Sequence, residues 1–219
     1  MIADLEDYIE KHISEQPELL NKIDRDTNLY HLNGRMCSGH IQGRLLKMLT
    51  QMIKPARVIE LGTFTGFSAL SVAEALDDGA MLHTIEADDE LEEVIKENFS
   101  KSEHASKITL HIGDALQTMD QFPDNHFDLA IIDADKREYP LYFEKLLRLV
   151  RPGGFMIADN TLWDGHVTEN GKHSSQTSGI IEFNDMVVSC PEVEVAIIPI
   201  RDGVSLIHKK YDYPPKYSN

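Results

Sequence analysis

The sequence contains few of the residues on which several protein classes depend. Its 219 residues include one tryptophan and two cysteines, Cys37 and Cys190. Two cysteines cannot build the disulfide framework of a small secreted domain or a cysteine-rich zinc site. No segment approaches the roughly 18 apolar residues of a membrane-spanning helix, and the acidic N-terminal segment does not have the basic start of a signal peptide. We therefore expect a cytoplasmic protein that does not enter a membrane.

Basic residues are also scarce in this chain. Lysine and arginine number 21 against 37 aspartates and glutamates, which gives a formal net charge of −16 at pH 7. The negative electrostatic field of such a chain opposes loose binding to nucleic acid or anionic lipid, although a local basic patch is compatible with it. A simpler interpretation is that the net charge keeps the protein in solution. The length suits one α/β domain over residues 1–219 with a full hydrophobic core.

The hydrophobic pattern changes near residue 54. Apolar residues recur at helical spacing in residues 1–53, which predicts an N-terminal helical cover. In residues 54–219, short β-branched runs alternate with helical stretches, which indicates a Rossmann-like α/β core with helices on both faces of a mostly parallel sheet of seven strands. The predicted strands are Arg57–Leu61, Met81–Glu86, Ile108–Ile112, Asp128–Ile132 and Phe155–Ala158, followed by an antiparallel hairpin of Val193–Pro199 and Val204–Lys209. The predicted helices between them are Ser68–Leu76, Leu91–Phe99, Pro140–Val150 and Ile180–Val188.

A glycine-containing turn follows the first predicted strand. Gly62 and Gly66 allow a tight turn there, and a helix is predicted to begin near Ser68. Ligands bind at the carboxyl ends of parallel strands, so this turn is a candidate nucleotide-binding loop, although an ordinary strand-to-helix turn has the same composition. The glycines do not follow the G-x-G-x-x-G pattern and no P-loop lysine is present, so neither a pyrophosphate nor a triphosphate is indicated.

Acidic residues lie at the ends of the first three strands. Glu60 lies beside the turn, where a carboxylate repels phosphate but suits a sulfonium-bearing aminoacyl ligand. Glu86 ends the second strand and can accept hydrogen bonds from both hydroxyls of a ribose. Asp114 follows the third strand and suits either an adenine amino group or the N-terminus of the next helix. Together these acids favour a positively charged nucleoside ligand.

Three hard oxygen donors lie at the ends of the fourth and fifth strands. Asp133 follows the fourth strand, and Asp159 and Asn160 follow the fifth. Adjacent strands are about 4.8 Å apart, so these residues can share one ion, and their oxygens fit Mg²⁺, Mn²⁺ or Ca²⁺ rather than zinc. Each residue alone is also a common helix cap. Their combination beside Lys136 favours a metal site.

A metal ion at this place would explain chemistry at a substrate hydroxyl. Binding to the ion lowers the pKa of the hydroxyl, and Lys136 is placed to accept its proton. The alternative for Lys136 is an ion pair with Asp133 or Asp135. The deprotonated oxygen can then attack a methyl group held in line with it. Because a second substrate oxygen can complete the chelate, a vicinal diol such as a catechol is the expected substrate.

With these motifs in place, the sequence resembles the cation-dependent class I O-methyltransferases. This family includes caffeoyl-CoA and catechol O-methyltransferases and the bacterial transfer-RNA 5-hydroxyuridine O-methyltransferase. The resemblance covers nearly the whole chain and depends chiefly on Val58–Gly66 and on Asp133–Lys136 with Asp159 and Asn160. It implies S-adenosylmethionine as the methyl donor, a class I methyltransferase fold, and a homodimer whose N-terminal helices cover the active site.

The resemblance also implies a role for each matching position. The residues expected to bind the cofactor are Met36, Glu60, Gly62, Ser68, Glu86, Asp114, Ala115, Asp133 and Asp135. The residues expected to bind the metal are Asp133, Asp159 and Asn160. Lys136 is expected to be the catalytic base, acting beside Asp133. Tyr139 and Trp163 are expected to flank a hydroxylated aromatic substrate.

Two stretches bear on the choice of substrate. Ala196–Gly203 has no counterpart of the glutamate that helps the mammalian catechol enzyme to bind a substrate hydroxyl, so it is more similar to the caffeoyl-CoA and bacterial branch. The polar loop of residues 164–178 lies in a region that shapes substrate choice in this family. We interpret His166 and His173 in that loop as solvated, with substrate contact as the alternative.

Three functions are compatible with these observations. The first is O-methylation of a catechol-like or phenolic small molecule. The second is methylation of a transfer-RNA hydroxyuridine, which the negative charge disfavours unless a basic patch forms across a dimer. The candidate residues for that patch are Arg25, Arg35, Arg44, Lys47 and Arg201. The third is a dehydrogenase or a non-catalytic nucleotide-binding module, which would give Asp133, Asp159 and Asn160 no role.

Overall fold

The computed structural model describes residues 3–211. Its helices are α1 (Ala3–Glu10), α2 (Glu18–Tyr30), α3 (Gly39–Ile53), α4 (Phe67–Ala73), α5 (Glu92–Ser100), α6 (Ala115–Met119), α7 (Tyr139–Leu149) and α8 (Ser175–Ser189). Its strands are β1 (Arg57–Leu61), β2 (Met81–Glu86), β3 (Ile108–Ile112), β4 (Phe127–Ile132), β5 (Val150–Asp159), β6 (Val193–Ile198) and β7 (Val204–Lys209). They form one seven-stranded sheet in the order β3-β2-β1-β4-β5-β7-β6.

The strand directions confirm the predicted fold class. Strand β2 is parallel to β3, and β4 is parallel to both β1 and β5, whereas β7 is antiparallel to β5 and β6. The predicted C-terminal hairpin is therefore present. No helix in the described part of the chain is long and apolar enough to cross a membrane.

The chain divides into two compact units, which we describe separately. The first consists of the residues up to Ala56 together with Gly62–Ala115, and it contains α1 to α5, β2 and β3. The second consists of Arg57–Leu61 and the residues from Leu116 onward, and it contains β1, β4 to β7, α7 and α8. The expectation of one domain over residues 1–219, with a boundary near residue 54, stays a prediction.

In the first unit, α3 and α4 approach each other closely at Gly43. A Cβ at this position would lie 2.8 Å from the Phe67 ring, so the contact needs a glycine. Beside it, Arg44 donates to Glu74 at 2.7 Å and Lys47 pairs with the same carboxylate. Burial alone would raise the pKa of Glu74, but the two cations lower it below its ordinary value. Two members of the candidate basic patch are thus paired with an acid inside their own unit.

In the second unit, the six residues of β4 are all buried, and aromatic rings fill the space between α7 and α8. The rings of Tyr139 and Phe143 meet Phe183 edge to face, with centroids 5.3 and 5.9 Å apart. Gly179 of α8 rests on the backbone of the Lys136 segment, where an added Cβ would lie 2.9 Å from the Cα of Arg137. Helix α8 therefore packs directly against the segment that follows β4.

The C-terminal end of α7 is held by a buried lysine of β7. Lys209 is 8% exposed, and its Nζ donates to the carbonyl oxygens of Leu147 at 2.6 Å and Val150 at 2.9 Å. The last carbonyl groups of a helix have no partner within the helix, and a cation is favourable there. Lys209 thereby joins the last strand of the chain to the place where α7 passes into β5.

Two elements begin five residues earlier than predicted, whereas the other predicted strand and helix bounds agree to within three residues. Strand β5 begins at Val150 instead of Phe155, and its pairing with β4 shifts register after Val150. Gly153 in this irregular stretch has a φ of 77°, and a Cβ on Gly154 would lie 2.9 Å from the carbonyl oxygen of Asp128. Helix α8 begins at Ser175 instead of Ile180, because Ser174 caps it by accepting the N–H of Thr177 at 3.1 Å.

Candidate active site

The turn after β1 belongs to the first unit from Gly62 onward, and its two glycines have backbone conformations that favour glycine. Their φ angles are 90° at Gly62 and 88° at Gly66. The N–H of Gly62 donates to Ile85 O at 2.9 Å, and that of Gly66 closes the turn onto Thr63 O at 2.8 Å. A Cβ on Gly66 would lie 2.5 Å from the ring of Phe99. Both glycines are therefore required by the shape of the turn.

Glu86 holds this turn in place. Its Oε2 accepts the N–H groups of Thr63 at 3.1 Å and Phe64 at 2.7 Å, and its Oε1 accepts the N–H of Asp88 at 2.9 Å. The residue is 9% exposed. A carboxylate offers about four lone-pair sites, so acceptor capacity is left for a ligand hydroxyl. The ribose contact expected from the sequence is compatible with this geometry, but the sequence did not predict that Glu86 also orders the turn.

Three further side chains fix the threonines of the turn. The hydroxyl of Thr27 in α2 lies 2.9 Å from that of Thr65, and Asn98 of α5 donates to Thr65 O at 3.0 Å. The hydroxyls of Thr63 and Thr84 lie 2.6 Å apart. The glycine turn is therefore tied to an N-terminal helix, to α5 and to β2. None of these contacts has a sequence motif that would have predicted it.

The other predicted cofactor residues of the first unit have different environments. Ser68 is buried in α4, and Ala115 is buried at the first residue of α6. Asp114 is exposed immediately before α6. Met36 is 57% exposed in a short 3₁₀ turn, Gly34–Met36. Of these four positions, Asp114 and Met36 are the accessible ones.

In the second unit, Asp133 lies where β4 ends. Its N–H donates to Leu61 O at 2.9 Å, which continues the ladder between β1 and β4 by one residue. Glu60 of β1 is fully buried in the same ladder, where it pairs with Ile131. Asp133 is therefore fixed by backbone hydrogen bonding directly after β4.

Lys136 is buried and pairs with Asp133. Its Nζ lies 2.8 Å from Asp133 Oδ1 and 2.7 Å from the hydroxyl oxygen of Tyr139. The Tyr139 hydroxyl in turn lies 3.1 Å from both Ile132 O and Asp159 O. One phenol thus joins the lysine to the ends of β4 and β5.

Tyr139 differs in placement from the expectation that it flanks a substrate. The residue is fully buried, and its ring packs against Phe183. The reason is that α7 begins at Tyr139 and faces the core at its first turn. Burial raises the pKa of Tyr139 above its ordinary value, so the phenol stays protonated at neutral pH.

The same surroundings set the charge of Lys136. Burial alone would lower the pKa of its ammonium, but the charge of Asp133 and the contact with Tyr139 outweigh burial and raise it. Lys136 is therefore an ammonium at neutral pH in this arrangement. The sequence left two roles open for Lys136, a proton-accepting base or a partner in an ion pair. The structure contains the ion pair with Asp133. Asp135 pairs instead with Arg137, whose hydrogen bonds lower the pKa of that carboxyl.

Asp159 and Asn160 follow the end of β5. Ala158 is in register with Ile132, so Asp159 and Asp133 occupy corresponding places on neighbouring parallel strands. Asp159 is 6% exposed, and its Oδ1 accepts the N–H of Asn160 at 2.8 Å. Asn160 has a φ of 59°, which turns the chain sharply away from the strand. The described residues contain no cluster of three His, Cys, Asp or Glu side chains, and this predicted set combines two carboxylates with one amide.

Trp163 lies in a strained loop after these residues. Trp163 and Asp164 have φ angles of 47° and 51°, and the N–H groups of Leu162 and Trp163 lie 2.7 and 3.3 Å from Asp202 O. Burial and the neighbouring Asp164 raise the pKa of the Asp202 carboxyl. Further along, the exposed His166 lies 2.8 Å from Glu169.

The chain is similar in sequence and in fold to known O-methyltransferases. The family model described as O-methyltransferase matches residues 10–210. Catechol O-methyltransferase domain-containing protein 1 from Mus musculus is 34% identical over 172 residues, which cover 77% of this chain and 66% of the mouse protein. Caffeoyl-CoA O-methyltransferase from Mesembryanthemum crystallinum is 32% identical over 205 residues, which cover 89% of this chain and 80% of the plant protein. The O-methyltransferase TomG from Streptomyces achromogenes, solved in complex with SAM, superposes with a TM-score of 0.87 at 26% identity and covers 94% of this chain and 96% of its own.

The fold and these matches define an S-adenosylmethionine-dependent O-methyltransferase. The chain belongs to the O-methyltransferase family. The resemblance stated from the sequence is thereby confirmed, and the third function considered there, a dehydrogenase or a non-catalytic module, is wrong.

Proposed function

We propose that this enzyme methylates a hydroxyl of a catechol-like or phenolic small molecule with the help of a divalent cation. The observation that carries the proposal is the position of Asp133 and Asp159 at corresponding ends of β4 and β5. Lys136 contacts both Asp133 and the Tyr139 hydroxyl, and that hydroxyl donates to Asp159 O. A vicinal diol offers two oxygens to a single ion, which is why we favour it over an isolated alcohol.

The residues present fit such a cation by their donor chemistry. Asp133, Asp159 and Asn160 offer only oxygen donors, the type that Mg²⁺, Mn²⁺ and Ca²⁺ prefer. All three belong to the second unit and lie at the ends of strands that are in register. A cation held by them would lower the pKa of a hydroxyl group bound to it.

We propose Lys136 as the group that exchanges a proton with the substrate hydroxyl, beside Asp133. The charge of Asp133 raises the pKa of Lys136, so the amine can become a base only where that charge is neutralised. Tyr139 is a positioning residue in this scheme, because its hydroxyl fixes Nζ and is itself fixed by two strand-end carbonyls. Trp163 keeps its proposed place beside the substrate.

We propose cofactor contacts for each unit separately. In the first unit, the proposed contacts lie in the turn that Glu86 orders and at the starts of helices. They are Met36, Gly62, Ser68, Glu86, Asp114 and Ala115. In the second unit, the proposed contacts are Glu60, Asp133 and Asp135. The acidic character of both sets suits a sulfonium ligand with an amino group.

A homodimer is our proposal for the oligomeric state. Large apolar side chains are exposed at the end of α2 and just after it, with Leu29 64% and Tyr30 78% exposed. Exposed apolar residues of this size, if contiguous, mark interaction surfaces. Light scattering of the purified chain tests this, and a monomer at micromolar concentration would contradict it.

One methyl-transfer screen tests the choice of acceptor. It compares catechols, caffeoyl esters and undermethylated transfer RNA as acceptors, with Mg²⁺ or with excess chelator. We expect methylated catechol-type products that disappear with chelator and in Asp159→Ala, while the variant still binds S-adenosylmethionine in a titration. Transfer RNA as the only methylated acceptor would favour the alternative, and equal rates in chelator would contradict the metal.

A further inference from the structure

Two histidines face each other on β2 and β3 of the first unit. His83 is in register with Thr109, and His111 with Ile85, so the two side chains lie on one face of the strand pair. His83 Nδ1 and His111 Nε2 are 3.0 Å apart. The ring centroids are 5.3 Å apart with planes inclined by 29°, and both residues are half-buried.

This pair is separate from the residues assigned to methyl transfer. Side chains alternate along a strand, so His83 lies on the opposite face of β2 from Thr84, whose hydroxyl contacts the glycine turn. Neither histidine contributes to the proposed cofactor or metal residues. Strand β3 also lies at one edge of the sheet.

The distance between the two nitrogens suits a metal ion. Metal–nitrogen bonds of about 2.0–2.1 Å place two imidazole nitrogens about 2.9 Å apart at a right angle and about 3.4 Å apart at a tetrahedral angle. The observed 3.0 Å is the length of a hydrogen bond between the two rings in the metal-free protein, and it lies close to the right-angle value. Right-angled nitrogen ligation is typical of tetragonal Cu²⁺ and Ni²⁺.

We propose that His83 and His111 form a binding site for a divalent transition metal, Cu²⁺ or Ni²⁺, distinct from the oxygen-donor site of the second unit. Binding needs both facing nitrogens to present lone pairs, so the protons must lie on His83 Nε2 and His111 Nδ1. A neutral pair reaches this state by a change of tautomer. Burial lowers the pKa of His111 and so favours its neutral form.

The coordination is completed by water. No group of three or more His, Cys, Asp or Glu side chains that could hold a metal ion occurs among residues 3–211, so we expect the protein to supply two ligands. Both histidines are only half-buried, so water can reach the remaining coordination positions. We therefore expect an affinity below that of a three- or four-ligand protein site.

The test uses the full chain, stripped of metal and then saturated with Mg²⁺ to occupy the oxygen-donor site. Ni²⁺ is titrated by calorimetry, and one equivalent of Cu²⁺ is examined by electron paramagnetic resonance. We expect hyperfine splitting from two imidazole nitrogens. We expect His83→Gln and His111→Gln each to weaken Ni²⁺ binding by about tenfold or more, since even removing an outer partner of a metal ligand costs about 10–100-fold.

His126→Gln is the matched control, because His126 is also a half-buried histidine whose pKa is lowered by burial but lies outside the pair. It should bind Ni²⁺ like the wild type. Circular dichroism melting checks that each variant folds, and the Cu²⁺ spectrum of the wild type tests the site without any substitution. The proposal is wrong if His83→Gln/His111→Gln binds Ni²⁺ like the wild type, if Asp159→Ala alone abolishes binding, or if the Cu²⁺ spectrum displays no nitrogen ligands.

Discussion

Replacing Glu86 by glutamine tests whether one carboxylate organises the glycine turn. The carboxylate accepts three backbone N–H groups, from Thr63, Phe64 and Asp88. Glutamine has one oxygen and one NH₂ group. In its better orientation it keeps the bonds from Thr63 and Phe64 as neutral hydrogen bonds and presents a donor to the N–H of Asp88.

The expected cost follows from these contacts. Hydrogen bonds to a charged group contribute about 1.5–3 kcal/mol against about 1 kcal/mol for neutral ones, and an unsatisfied buried donor costs about 1–3 kcal/mol. Two weakened bonds and one lost bond should lower the free energy of unfolding by about 2–4 kcal/mol. If Glu86 also holds the ribose, S-adenosylmethionine should bind about tenfold more weakly, a difference of about 1.4 kcal/mol.

Urea unfolding and calorimetric titration of the cofactor measure the two effects separately. Glu93→Gln is the matched control, since Glu93 is exposed on α5, and its unfolding free energy should stay within about 0.5 kcal/mol of the wild type. A Glu86→Gln variant as stable as that control would refute the account of the turn. A destabilised variant with unchanged cofactor affinity would leave the turn account intact and refute the ribose contact.

Three further outcomes are expected. Tyr139→Phe removes the hydroxyl that positions Lys136 and should lower the free energy of unfolding in urea by about 1–3 kcal/mol. In a methyl-transfer assay, kcat should fall by a larger factor than KM changes, and an unchanged kcat would contradict the positioning role. Lys209→Met leaves two helix-end carbonyls without their donor and should cost about 1–3 kcal/mol, whereas the exposed Lys172→Met should not. Since Asp133 raises the pKa of Lys136, the stability from this pair is fully present below the ordinary lysine pKa and is lost only as pH rises through the higher folded value. The difference in unfolding free energy between wild type and Lys136→Met should therefore be constant from about pH 6 to about pH 9.

Most strands were predictable, because short runs rich in β-branched and apolar residues are typical of buried strands. Arg57–Leu61, Met81–Glu86 and Ile108–Ile112 have the predicted bounds. The start of β5 was not predictable, because Arg-Pro-Gly-Gly resembles a turn and only the register shift against β4 makes it part of a strand. The start of α8 was also not predicted, because its first residues are polar and have no apolar periodicity. The helix begins there because Ser174 caps it.

The placement of the candidate site residues at strand ends was predictable from chain order, but their hydrogen bonds were not. Lys136 had two acidic neighbours in the sequence, and its partner was decided by where each side chain could reach. Arg137 folds back onto Asp135, which leaves Asp133 for the lysine. The burial of Tyr139 depends on the packing of α7 against α8, which no local pattern reveals.

The contact between Gly179 and the Lys136 segment has a consequence for the evolution of this enzyme. Any side chain at position 179 would overlap the backbone beside the proposed base, so α8 would have to move away from it. Replacements on this helix can therefore impair methyl transfer without touching either substrate. We therefore expect position 179 to admit no residue larger than glycine.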